Sequence, residues 1–190
     1  VKILCGLMRQ KSGRVDFGYN VELGYYDQEN QNLTDTKTVL DELWDAYPTM
    51  AERDIRSVLA QFLFRAENVS KSVSVLSGGE RARLTLAKLM FRKMNLLILD
   101  EPTNHLDISS REALEDALAG YDGTLIAVSH DRYFIDKLAT RIITISPDGA
   151  VDFRGTYREY EQKKRAAAEG AAEVSAAAKE SISSAKDEYL

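Results

Sequence analysis

Two short apolar runs, Leu96-Leu-Ile-Leu99 and Leu125-Ile-Ala-Val128, stand out in a chain whose other large hydrophobic residues are more widely spaced. Each is too short for a helix and is bounded by polar residues, so the first predicts a buried strand of a parallel sheet and the second another short strand. Elsewhere the period is helical. Val39, Leu40, Leu43 and Trp44 make one apolar stripe, and Ile55, Val58, Leu59, Phe62 and Leu63 make another. Residues from about Glu29 to Val75 therefore read as helical, with Trp44 and Phe62 in the core of that region. Arg81 to Met90 carries apolar residues on one side and basic ones on the other, which predicts a further helix. Arg14-Val-Asp-Phe17 and the alternating Val21 to Gln28 flank a Gly-Tyr-Asn turn and predict an antiparallel pair of strands. Beyond the second apolar run, Arg132 to Ala139 predicts a short amphipathic helix and Arg141 to Ile145 a strand. Pro147-Asp-Gly149 then turns the chain into Val151 to Phe153, and Gly155-Thr-Tyr-Arg-Glu-Tyr160 begins a helix. Strands alternating with helices make this an α/β chain.

In open α/β sheets, ligands bind in the crevice at the carboxyl ends of the strands. The first apolar run ends there in Asp100 and Glu101. An Asp so placed can hold the water shell of Mg²⁺, and a neighbouring Glu can polarise an attacking water. A plainer reading is also open, in which the acidic residues serve the next helix and Asp107 is its N-cap before Ile108-Ser-Ser-Arg-Glu-Ala-Leu-Glu115. Ser77-Gly-Gly-Glu80 brings a hydroxyl and bare backbone N–H groups to a helix start, where glycines let a phosphate approach without a Cβ in the way. The same residues are ordinary turn and cap chemistry. The second run ends in Ser129-His130-Asp131. His130 can donate a hydrogen bond to a phosphate oxygen in the same crevice, or be a satisfied structural histidine.

Taken in chain order, Leu76-Ser-Gly-Gly-Glu80, the strand ending in Asp100-Glu-Pro-Thr-Asn-His-Leu-Asp107, and the strand ending in Ser129-His-Asp-Arg-Tyr-Phe134 resemble the ATP-binding-cassette ATPases over about residues 1–165. The Asn104-His-Leu-Asp107 form resembles the ABC-F branch of that family. The resemblance implies a P-loop NTPase-type α/β domain with a parallel core sheet, antiparallel edge strands and an α-helical subdomain. Residues 1–162 would be part of one cassette, a second cassette rather than a first, with the helical subdomain at about 29–78. By the same resemblance Ser77, Gly78, Gly79 and Glu80 match the signature motif, which meets nucleotide in trans. Asp100 matches the Walker B aspartate, Glu101 the catalytic glutamate, Asp107 the D-loop and His130 the switch histidine. Gln28 matches the glutamine that touches Mg²⁺ and the attacking water. ATP and Mg²⁺ are the implied cofactors, and a second cassette of the same protein and the ribosome, through rRNA and tRNA, the implied partners. No membrane partner is expected in this branch, and the cytoplasm is the implied location. The alternative is the ATP-binding subunit of a membrane transporter, which shares the catalytic motifs. Gly155-x-Tyr-x-x-Tyr160 resembles the end of an ABC-F cassette, with Thr156 where Asn is more familiar.

The string Gly-x-x-x-x-Gly-Lys-Ser/Thr, whose backbone and lysine cradle nucleotide phosphates, does not occur. Val1 to Gly6 resembles the helix that follows such a loop, so the chain is expected to begin just beyond it, and alone to bind ATP weakly without turnover. Its 190 residues can bury one substantial core. The single cysteine, Cys5, excludes an internal disulfide. No apolar stretch approaches the roughly 18 residues of a membrane span. A net charge of −5 gives no global signature of a nucleic-acid binder. Two local basic groups, Arg81, Arg83, Lys88, Arg92 and Lys93, then Lys163, Lys164 and Arg165, read as solvated helix faces before they read as RNA contacts. Residues 163–190 are rich in Ala, Glu and Lys, with Val174, Ile182 and Leu190 as the large aliphatics, which predicts an exposed helix or a disordered tail.

Overall fold

The computed structural model describes residues 1–27, 32–92, 94–147, 149–167 and 169. Gln28, Lys93 and the predicted tail from 170 onward lie outside the described residues. The chain divides into two compact units, 1–134 and 135–190.

The first unit is built on a three-stranded parallel sheet in the order β1 (Leu23–Asp27), β2 (Leu96–Asp100), β3 (Thr124–Val128). Leu97, Ile98 and Leu99 of β2 are at most 1% exposed, so both faces of the central strand are covered, as its unbroken apolar run requires. β1 and β3 are the two edges of the described sheet, and on β3 Ile126 and Val128 stay partly exposed. Helices α1 (Val39–Trp44), α2 (Glu52–Gln61), α3 (Gly78–Phe91) and α4 (Ile108–Ala119), with a 3₁₀ turn at Val73–Val75, complete the unit. The helical stripes fall where their spacing puts them except at Leu63, which lies beyond α2 at φ +64° and is 41% exposed. Val39, Leu43, Ile55 and Leu59 are fully buried, Phe62 is buried at the end of α2, and Trp44 is half-buried. Glu42 is 1% exposed, and its carboxylate accepts from Lys88 Nζ at 2.5 Å and from the Thr34 N–H at 3.2 Å.

The expected antiparallel pair at 14–17 and 21–28 does not form. Residues 14–17 carry no strand, and Arg14 and Asp16 pair with each other across exposed backbone. β1 instead joins β2 in parallel, from Leu23 opposite Leu96 to Asp27 opposite Asp100. Its alternation buries Tyr26 and Gly24, and a Cβ on Gly24 would run into the Met94 side chain. Packing of that face against the first unit's core outweighs a local hairpin that could bury only Val15 and Phe17. Val1 to Gly6 makes a single turn, closed by the Cys5 N–H on the Val1 carbonyl at 3.1 Å, and Gly6 ends it at φ +72°.

Helix α5 (Arg132–Leu138) leads into the second unit, where β4 (Arg141–Ser146) and β5 (Gly149–Arg154) form the predicted antiparallel hairpin. Residues 157–167 are helical. Tyr160 packs on Phe153 with ring centroids 5.8 Å apart and shares a 2.8 Å hydrogen bond with Thr144 Oγ1.

Candidate nucleotide site

The parallel register sets Asp27, Asp100 and Val128 abreast. The segments that follow the three strands therefore leave from one edge of the sheet, the edge where α/β ligands bind. The ladder runs one residue further, because the Glu101 N–H donates to the Val128 carbonyl at 2.9 Å. Glu101 then takes φ +47°, a left-handed conformation that costs a non-glycine residue on the order of 1 kcal/mol or more. This turn delivers its carboxylate to His130. Glu101 Oε2 accepts the His130 backbone N–H at 3.3 Å, and Oε1 lies 3.4 Å from His130 Nε2. The His130 side chain is 96% exposed and that of Glu101 20%, so the imidazole stands in the open over a largely covered carboxylate.

Asp100 accepts a hydrogen bond from the Tyr25 hydroxyl at 3.3 Å. Burial first, then the charges of Asp27 and Asp100, push the Tyr25 phenol up to about 12, so it remains a protonated donor at neutral pH. Tyr25 is a site residue that the sequence reasoning missed. Its parity was the available signal, since Tyr25 and Asp27 share the face of β1 opposite buried Tyr26.

The loop from Glu101 to Asp107 is held by the Asn104 N–H on the Glu101 carbonyl at 3.2 Å and by buried Thr103 and Leu106, with His105 at φ +59°. Asp107 caps α4, accepting the Ser110 N–H at 2.7 Å. The Ser110 hydroxyl and amide hold its carboxyl below the usual carboxylate range. The plainer cap role of Asp107 is thus real, on a side chain that stays exposed.

Ser77 is the N-cap of α3 and closes a full capping box. Its hydroxyl accepts the Glu80 N–H at 3.3 Å, and the Glu80 carboxylate accepts the Ser77 N–H at 2.8 Å. That backbone bond draws the Glu80 carboxyl below its ordinary range. Gly78 and Gly79 have no such internal duty. Neither takes a positive φ, a Cβ on Gly78 would meet nothing within 4 Å, and one on Gly79 would meet only the His105 carbonyl at 3.8 Å. The Ser77–Glu80 turn therefore comes near the Glu101–Asp107 loop at the His105 carbonyl and presents a bare backbone face at Gly78 to open space.

Three of the five residues in the first basic group, Arg81, Arg83 and Lys88, are engaged within the fold. Arg81 pairs with Asp35 at 2.7 Å, Lys88 with Glu42, and Arg83 donates to the Ser110 hydroxyl and sits over the Phe64 ring at 5.6 Å. Sequence spacing could not show partners that lie far away along the chain. Among the described residues, no three His, Cys, Asp or Glu side chains gather into a metal cage. No described helix is long and apolar enough to cross a membrane.

The family model described as ABC transporter matches residues 1–104. The chain is 53% identical over 164 residues to YdiF of Bacillus subtilis (strain 168), covering 86% of this chain and 26% of that protein. It is 42% identical over 165 residues to ABC transporter F family member 5 of Arabidopsis thaliana, covering 86% of this chain and 24% of that one. The chain thus spans about a quarter of the length of these relatives. The archaeal ribosome recycling factor aABCE1, solved in complex with ribosomal stalk protein aP1, shares the fold with a TM-score of 0.69 at 23% identity, over 87% of this chain and 33% of that one. The chain belongs to the ABC transporter family of ATP-binding-cassette proteins, in its F branch.

Proposed function

We propose that this chain supplies the signature face and the hydrolytic residues of a cassette that binds and hydrolyses ATP and acts on the ribosome in the full-length protein. The observation that carries the reading is the meeting of Glu101 and His130 at the strand ends, with Oε1 and Nε2 3.4 Å apart. Residues 1–162 form the cassette portion, with 29–78 as its helical subdomain.

Asp100, oriented by Tyr25, would hold Mg²⁺, which when bound supplies positive charge against the phosphates. Glu101 polarises the attacking water and accepts its proton, and the left-handed turn that presents its carboxylate is fixed by the bond to Val128. His130 donates to the terminal phosphate oxygen, and Gln28, next along the chain from Asp27, orients the same group and the water. Ser77, Gly78 and Gly79 close over nucleotide held by a second cassette, where bare N–H groups at the start of α3 favour the anion. Asp107 joins the two sites across that interface. The ribosome enters as partner through the F-branch form of Asn104-His-Leu-Asp107.

Co-sedimentation with ribosomes tests the reading, using the full-length protein carrying Glu101→Gln with and without ATP. ATP-dependent pelleting is the expected result. Absence of pelleting, with recovery instead in a detergent-solubilised membrane complex, would transfer the protein to the transporters.

A further inference from the structure

We propose that Arg111 is a positioning residue for the hydrolytic site: through Asp131 it fixes the loop that presents His130 to Glu101. The inference rests on the role given to His130 above and names the group that sustains it.

His130 makes few contacts of its own. With its side chain 96% exposed, its place is set by the backbone on either side of it. That backbone is organised around Asp131. One carboxylate oxygen, Oδ1, accepts the N–H groups of Tyr133 at 3.0 Å and Phe134 at 3.3 Å, and the Asp131 N–H donates to Ser129 Oγ at 3.1 Å. The other oxygen, Oδ2, lies 2.9 Å from Arg111 Nη1, and Asp131 is only 13% exposed at its side chain. The loop from Ser129 to Phe134 is therefore folded about one largely buried carboxylate, and the Arg111 guanidinium ties that carboxylate to another element.

The origin of that tie is unusual for a helix. Arg111 lies in the first turn of α4, its N–H on the Asp107 carbonyl at 3.0 Å, and apart from the N-cap Asp107 no acidic residue accompanies it there. A cation there opposes the helix dipole, which favours negative charge at this end. Its Nε is buried without a partner among the described residues, a further cost. The pairing with Asp131 is what the position gains. The neighbouring Ser110 takes the Asp107 cap and the Arg83 hydrogen bond, so the same turn is anchored to α3. Arg111 thus extends a rigid base, tied to the signature helix, out to the loop that carries His130.

The test is ATP turnover by the full-length protein as wild type, Arg111→Met, Arg111→Lys, His130→Ala and the Arg111→Met/His130→Ala double variant. Displacing a positioned group by about 1 Å can cost about 100-fold in rate. Arg111→Met should therefore lower kcat by about 10- to 100-fold, with KM for ATP changed by no more than about twofold. Arg111→Lys should recover most of the loss, and the double variant should be no slower than His130→Ala alone, because Arg111 acts only through His130. Losses that multiply in the double variant, or wild-type kcat in Arg111→Met, would overturn the inference and leave His130 in its role. Wild-type turnover by His130→Ala would overturn both. Should Arg111→Met fail to fold, hydrogen exchange in Arg111→Gln, which keeps a polar side chain and loses the cation, decides. Faster exchange at the amides of residues 129–134, with α3 unchanged, is expected, and unchanged exchange at 129–134 would overturn the proposal.

Discussion

Replacing both signature glycines with alanine should move stability and activity in opposite directions. The structure gives the added methyl groups room, with nothing within 4 Å of Gly78 and a carbonyl at ordinary contact distance from Gly79. Neither residue uses a backbone angle closed to alanine. Alanine at a compatible position stabilises by about 0.4–1 kcal/mol, chiefly by narrowing the unfolded ensemble. The pair together should then add about 1–2 kcal/mol, which in a chain of this size raises Tm by about 2–8 °C. Activity should fall, because each methyl group occupies the face on which nucleotide from the second cassette is to rest. Calorimetry on this chain and ATP turnover by the full-length protein read the two effects separately. A fall in Tm would show that the fold itself needs the glycines. Unchanged turnover at raised Tm would show that the bare face at the start of α3 is not a nucleotide surface.

Other consequences are structural. Lys88→Met leaves the Glu42 carboxylate buried without its cation, and removing one partner of a buried pair costs about 3 kcal/mol or more. A urea midpoint unchanged within error would refute the pairing. Glu80 has a depressed carboxyl in the folded state, so its contribution is present above the unfolded carboxylate value, about 4.3, and is lost as pH falls through the lower folded value. The Tm difference between wild type and Glu80→Gln should therefore shrink on acidification from pH 7 toward pH 3, and a constant difference would contradict the capping-box account.

Much of the site is visible in the residues themselves. The unbroken run before Asp100 requires a strand covered on both faces, and Ser77 three residues before Glu80 spells the capping box that opens α3. Apolar spacing also locates α1, α2 and the β4–β5 hairpin. The misplaced element, the strand pair at 14–28, failed because alternation reports a half-buried strand without saying which neighbour covers it. β1 shows that its neighbour is the parallel β2, more than 70 residues away in register. The same limit hides Tyr25 on Asp100, Arg83 on Ser110 and Arg111 on Asp131, each a tertiary pair between residues with unremarkable local patterns. The left-handed turn at Glu101 was hidden for a different reason: only the bond to Val128 and the buried loop behind it make that conformation tolerable for a non-glycine residue.

The central claim is that Glu101 acts on water at the end of β2. Single-turnover hydrolysis of ATP by the full-length protein, measured beside equilibrium ATP binding for wild type and Glu101→Gln, tests it directly. The account predicts retained binding with hydrolysis slowed at least about 100-fold in the variant. Equal single-turnover rates in the two proteins would contradict it.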